Sequence, residues 1–272
     1  MTPLGSGVRS AEGVPPVVIL PALLGGGVLL LPIVALLARI DWTAIPATLV
    51  APETASALGL SLVTALSATC VCLLLGIPLA VVLSRASGAM ATILRAFVTL
   101  PLVLPPLVGG LALLSLLGRG GLLGDALAEV GIRIPFTTVA VVIAQVFVSL
   151  PFLVISVEGA LRGVSPVYGA AAATLGASRT SVLFRITLPL AGPGLLAGTI
   201  LCFTRALGEF GATALFAGNA AGTTRTVPLA IYTAFNGAGV TQDTALALSL
   251  ILVVVAVVAL VLLRGRTDGS RS

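Results

Sequence analysis

The sequence predicts an all-α membrane protein with six transmembrane helices, and three observations predict it. Of 272 residues, 58% are hydrophobic and only 8% are charged, whereas about 25% of an ordinary soluble domain is charged. Mean hydropathy is +1.22. Six apolar stretches, at 17–38, 57–83, 96–117, 135–157, 190–216 and 244–263, each reach the length of about 20 residues that a helix needs to cross hydrocarbon. The connections between them are short and leave no room for a second large domain. Residues 17–263 are therefore the expected membrane domain, flanked by tails at 1–16 and 264–272.

The first stretch lacks a small-residue cleavage site and is followed by further spans, so it reads as a retained helix and not as a signal peptide. Prolines lie within or beside the spans at Pro32, Pro78, Pro101, Pro105, Pro106, Pro151 and Pro193. Each removes a backbone donor and can kink its helix. An even number of spans puts both termini on one side. All 14 basic residues are arginines. Arg9, Arg85, Arg95, Arg162, Arg179, Arg185, Arg264, Arg266 and Arg271 fall on the side of the termini, and Arg39, Arg119, Arg133 and Arg225 fall opposite. The excess of positive charge places both termini in the cytoplasm.

The formal net charge of +5 does not indicate nucleic acid, because the arginines are scattered between apolar runs instead of forming a patch. Cys70, Cys72 and Cys202 all fall inside apolar runs and read as buried free thiols. With no histidine in the chain, a Cys/His metal site is excluded, and no cofactor is expected.

The connection from 158 to 188 reads as two short helices. Ser165 is an N-cap with Pro166 at the first helical position, residues 168–175 are helix-prone, and Gly176 suits a left-handed stop. Ser178 caps a second helix carrying Val182, Leu183 and Ile186 until Pro189 intervenes. The string GAAAATLGASRTSVLFRITLP resembles the cytoplasmic signature of the permease subunits of binding-protein-dependent ABC importers. Ala171 and Ala172 match its two alanines, Gly176 its glycine, and Ile186, Leu188 and Pro189 its Ile-x-Leu-Pro close, with Leu175 beside the glycine. Ala170 stands where the family usually has glutamate.

In the fifth stretch, Arg205 and Glu209 lie four residues apart, on one face of a helix, where pairing reduces the cost of burying either. Gly208 and Gly211 flank them and permit close helix crossing or local unwinding. Substrate contact and a purely structural ion pair both suit this arrangement. Arg-Ala-Leu-Gly-Glu-Phe-Gly, 205–211, is similar to the fifth-span motif of the sulfate and molybdate permease group. LFAGN at 215–219 and TRTVPLAIYTAF at 224–235 look more like the molybdate branch.

The resemblance implies the fold of a type I ABC importer permease, with a cytoplasmic coupling helix between spans four and five. It implies a multi-pass protein of the cytoplasmic membrane, embedded in lipid, that works as a homodimer with two cytoplasmic ATPase subunits and an extracytoplasmic oxyanion-binding protein. The expected cargo is molybdate or tungstate, with sulfate or thiosulfate as the alternative. Residues 171, 172, 175, 176, 186, 188 and 189 would couple to the ATPase, and Arg205, Gly208, Glu209 and Gly211 would border the translocation pathway. The chain has no phosphate-binding Gly-x4-Gly-Lys-Ser/Thr loop and no lysine to complete one, so it is not expected to be an enzyme. A passive channel would leave the coupling motif without a use, and an intramembrane enzyme would need a second acid beside Glu209.

Overall fold

The computed structural model describes residues 15–237 and 242–267, and among them every regular element is helical. Most of the two expected tails lies outside the described residues. The chain divides into a first unit that ends at Trp42 and a second that begins at Thr43. The first unit consists of α1 (Pro16–Ala38), which starts on Pro15-Pro16 and runs unbroken through Pro21 and Pro32. Its large apolar side chains are exposed along its length, from Val17 to Val34. A helix apolar all round is one made for lipid or a core.

The second unit is built on two long helices, α3 (Pro52–Arg85) and α7 (Thr138–Gly163), with α11 (Gly192–Leu207) against both. The short helix α2 (Ile45–Val50) precedes α3. The buried face of α3 is a stripe of small residues, Ala57, Ser61, Ala65, Ala68, Cys72, Gly76 and Ala80, spaced three or four apart. Small side chains let helix backbones approach, and in lipid such packing replaces the hydrophobic effect as the driving force. Pro78 and Pro151 leave α3 and α7 continuous.

The third apolar stretch is not one straight helix. It forms α4 (Gly88–Val103) and α5 (Pro106–Leu117), which meet at 113°. Leu104 and Pro105 each precede a proline, and proline excludes its predecessor from the helical region. Both residues are extended, with ψ of 133° and 137°. Two successive non-helical residues are enough to turn the chain. Beyond α5 lie the short α6 (Gly124–Glu129) and then α7.

After α7 come α8 (Pro166–Thr174), α9 (Arg179–Val182), a π-helical turn (Leu183–Thr187) and α10 (Leu188–Leu190). Pro189 does not end this second helix, contrary to the sequence expectation. The π turn widens the helix so that the Leu188 N–H bonds back five residues to Leu183, and the proline ring is accommodated in the shifted ladder. The chain then bends by 71° into α11. The fifth stretch breaks again between α11 and α12 (Gly211–Phe216), and α13 (Val227–Phe235) and α14 (Gln242–Thr267) complete the unit. Leu252 and Val255 of α14 pack against Ala65, Ala68, Ala206 and Leu207 of α3 and α11.

By length and composition, α1, α3 and α7 are each able to cross a membrane, and the two bent pairs bring that number to five among the described residues. Within α14, Asp243–Ala259 is a shorter apolar helix.

Candidate functional site

The segment between α7 and α11 has the geometry its residues dictate. The Ser165 hydroxyl accepts from the Val167 N–H at 3.4 Å, and the Ser178 hydroxyl accepts from Ser181 N–H at 3.2 Å. At the end of α8 the Gly176 N–H donates to Ala173 and the Ala177 N–H to Ala172, both at 3.0 Å. This is a Schellman closure, and it requires a left-handed residue at its turn. Gly176 supplies it with φ of +84°. No residue of α8 is buried. Leu175 is 89% exposed and Val167 and Tyr168 are exposed beside it, so the helix presents apolar side chains on an outward face.

The residues expected to couple to the ATPase divide into two groups. Ala171, Ala172, Leu175 and Gly176 form the end of α8, whereas Ile186, Leu188 and Pro189 belong to the helix that returns toward α11. Leu188 packs against the core of α3, α7 and α11. Ile186 and Tyr168 line a groove of about 290 Å³ between the two short helices and the ends of α3 and α7.

Arg205 and Glu209 do pair, at 2.7 Å. They do so across a helix end and not along a continuous helix: α11 stops at Leu207 and α12 begins at Gly211. Glu209 is 1% exposed, and its second oxygen accepts from the Ala212 N–H at 2.8 Å, so the carboxylate closes the break from inside. Gly211 is buried against the α4–α5 corner, and a Cβ there would come within 2.5 Å of Pro106 Cβ. The two helix breaks are thus in direct contact. Arg205 reaches into a cleft of about 150 Å³ shared with Pro101, Pro105, Pro106, Phe147 and Phe152. Phe147 and Phe152 flank the midpoint of α7, so the arginine sits halfway along a membrane-length helix.

A second charge cluster lies at the C-terminal end of α7. Glu158, 8% exposed, accepts from Arg95 of α4 at 2.8 Å and from Arg162 at 3.1 Å. Both arginines also donate to the Leu83 carbonyl in the last turn of α3, at 3.2 and 3.3 Å. In the sequence Glu158 stands at the start of the connection to 188, and Arg95 and Arg162 serve only to orient the chain. The available signal was the four-residue spacing of Glu158 and Arg162, which suits a helix continuing to Gly163. Of the three thiols, Cys72 and Cys202 are buried as expected, but Cys70 is exposed, because it lies two residues from Cys72 on the opposite side of α3.

Residues 72–266 match the family described as binding-protein-dependent transport system inner membrane component. The chain belongs to that family. It is 50% identical over 251 residues to the molybdenum transport system permease protein ModB of Mycobacterium tuberculosis, covering 92% of this chain and 94% of that one. It is 37% identical over 208 residues to the sulfate transport system permease protein CysT of Escherichia coli, covering 75% of each. Among solved structures, a bacterial ABC transporter involved in the import of the acidic polysaccharide alginate superposes with a TM-score of 0.65 at 20% identity, covering 94% of both chains. At that identity the likeness establishes a shared fold.

Proposed function

We propose that this permease carries molybdate across the cytoplasmic membrane as one of two identical membrane subunits of an ATP-driven importer. The observation that carries the cargo is the 50% identity, over nearly the full length, to a molybdenum permease. The sulfate relative is more distant, at 37%. In this reading an extracytoplasmic binding protein delivers the oxyanion, and hydrolysis takes place on two ATPase subunits. Six spans cross the bilayer, with α4 and α5 forming the third, α11 and α12 the fifth and α14 the sixth.

Both termini and α8 face the cytoplasm, as the distribution of arginines supports. The exposed end of α8, with Ala171, Ala172, Leu175 and Gly176, docks on the ATPase, and the helix with Ile186, Leu188 and Pro189 carries its movement into α11. ATP binding then biases a two-state arrangement of rigid helices, each state having its own contacts. The pathway passes the paired helix breaks, where Arg205, Gly208, Glu209 and Gly211 lie.

The test is uptake of labelled molybdate by cells with and without this chain, with unlabelled sulfate in large excess. Uptake that requires the chain and resists sulfate is expected. Strong competition by sulfate would transfer the assignment to the sulfate branch.

A further inference from the structure

One charged side chain, Arg205, lines the cleft between the α4–α5 corner and the middle of α7. We propose that this cleft is a transient subsite for a tetrahedral oxyanion, which Arg205 holds and which Glu209 releases by competing for the same guanidinium. The proposal rests on the permease reading and goes beyond it by assigning a ligand contact and a means of release.

A dianion at membrane depth needs a countercharge, and the planar fork of arginine suits oxyanions better than any other side chain. The guanidinium has five N–H donors. It meets Glu209 through one nitrogen, and among the described residues it forms no other hydrogen bond, so donors remain for the cleft. At about 150 Å³ the cleft far exceeds the roughly 10–15 Å³ that one water needs, which leaves room for an oxyanion with part of its hydration.

Glu209 is built to let its partner go. One oxygen takes Arg205 and the other is held by the Ala212 N–H. When the guanidinium turns toward an arriving anion, the carboxylate keeps a charge-assisted bond and is not left stranded in the core. An arginine with no such competitor would bind the dianion too well to pass it on, and conduction needs sites that are favourable yet escapable. With the pair closed, the resting cleft carries no net charge.

The experiment uses the complete transporter, permease with ATPase and binding protein, in proteoliposomes. Arg205→Gln is expected to cut molybdate uptake about 100-fold, the loss corresponding to one or two charge-assisted hydrogen bonds, while Arg205→Lys keeps part of the rate. Glu209→Gln leaves the arginine uncontested: uptake falls about tenfold, the scale of losing one charged competitor, yet label remains on the purified complex after washing. Arg205→Gln combined with Glu209→Gln restores nothing.

Normal uptake in Arg205→Gln overturns the proposal. So does recovery of transport in the double variant, which would mark the pair as structural only. If the unaltered complex imports neither molybdate nor sulfate, the permease reading itself falls and takes the subsite with it.

Discussion

Replacing Gly176 by valine separates the backbone requirement of the α8 turn from any packing requirement. Nothing lies within 4 Å of the position a Cβ would occupy there, so the added Cβ has open space around it. What it meets is its own backbone, because at φ of +84° an L-residue bears a strain of about 1–2 kcal/mol, and a β-branched one more. The two closing hydrogen bonds from Gly176 and Ala177 depend on that geometry. A strain of that size lowers the population of the native turn about 5–30-fold relative to its alternatives. Because α8 buries no residue, the bundle should unfold at an unchanged temperature. In proteoliposomes with the ATPase and binding protein, molybdate imported per ATP hydrolysed is expected to fall about tenfold, in the middle of that range. Asparagine tolerates the left-handed region, so Gly176→Asn should retain most of the coupling. Wild-type coupling in the valine variant would refute the reasoning, and so would an asparagine variant as damaged as the valine one.

Other expectations follow from packing and charge. Glu158→Gln removes the negative centre that binds Arg95 and Arg162. Those arginine side chains are 34% and 46% exposed, so the loss falls between that of a surface and a buried pair, about 1–2 kcal/mol, visible as a lower unfolding temperature in detergent. Gly211→Ala drives a Cβ into the rigid ring of Pro106 and should cost about 1–3 kcal/mol as overpacking. Gly59→Ala in α3 meets nothing within 4 Å and should be neutral or stabilising by about 0.5–1 kcal/mol through helix propensity. Equal melting temperatures for these two alanine variants would argue against the close contact of α5 and α12.

The length of the apolar stretches locates the long helices, because nothing competes with it over 20 or more residues of Ala, Leu and Val. The turn at Gly176 was equally legible, since Ser165, Pro166, Gly176 and Ser178 each act on their own backbone. The break at 104–105 was harder. A single proline inside an apolar helix is tolerated, as Pro78 and Pro151 show, and only the adjacency of Pro105 and Pro106 turns two successive residues extended. The π turn before Pro189 left no local mark. The ion cluster around Glu158 was invisible for a different reason: Arg95 lies 63 positions away in the chain, and only the packing of α4 against α7 brings them together. For Arg205 and Glu209, spacing foretold the pair. It did not foretell that the helix would stop between them and leave the carboxylate to bind the Ala212 N–H.

The two breaks that meet at Gly211 and Pro106 are not equivalent. The corner between α4 and α5 is written into covalent rings, so it persists whatever the charge around it, the lipid, or the position of neighbouring helices. The gap between α11 and α12 contains no proline and is held by a carboxylate whose bonding answers to its surroundings. One wall of the cleft is therefore an anvil and the other a latch. Rearrangement during a transport cycle falls to the latch, and a proline introduced at Glu209 would remove both the acid and the backbone N–H that donates to Ala206 at 3.2 Å.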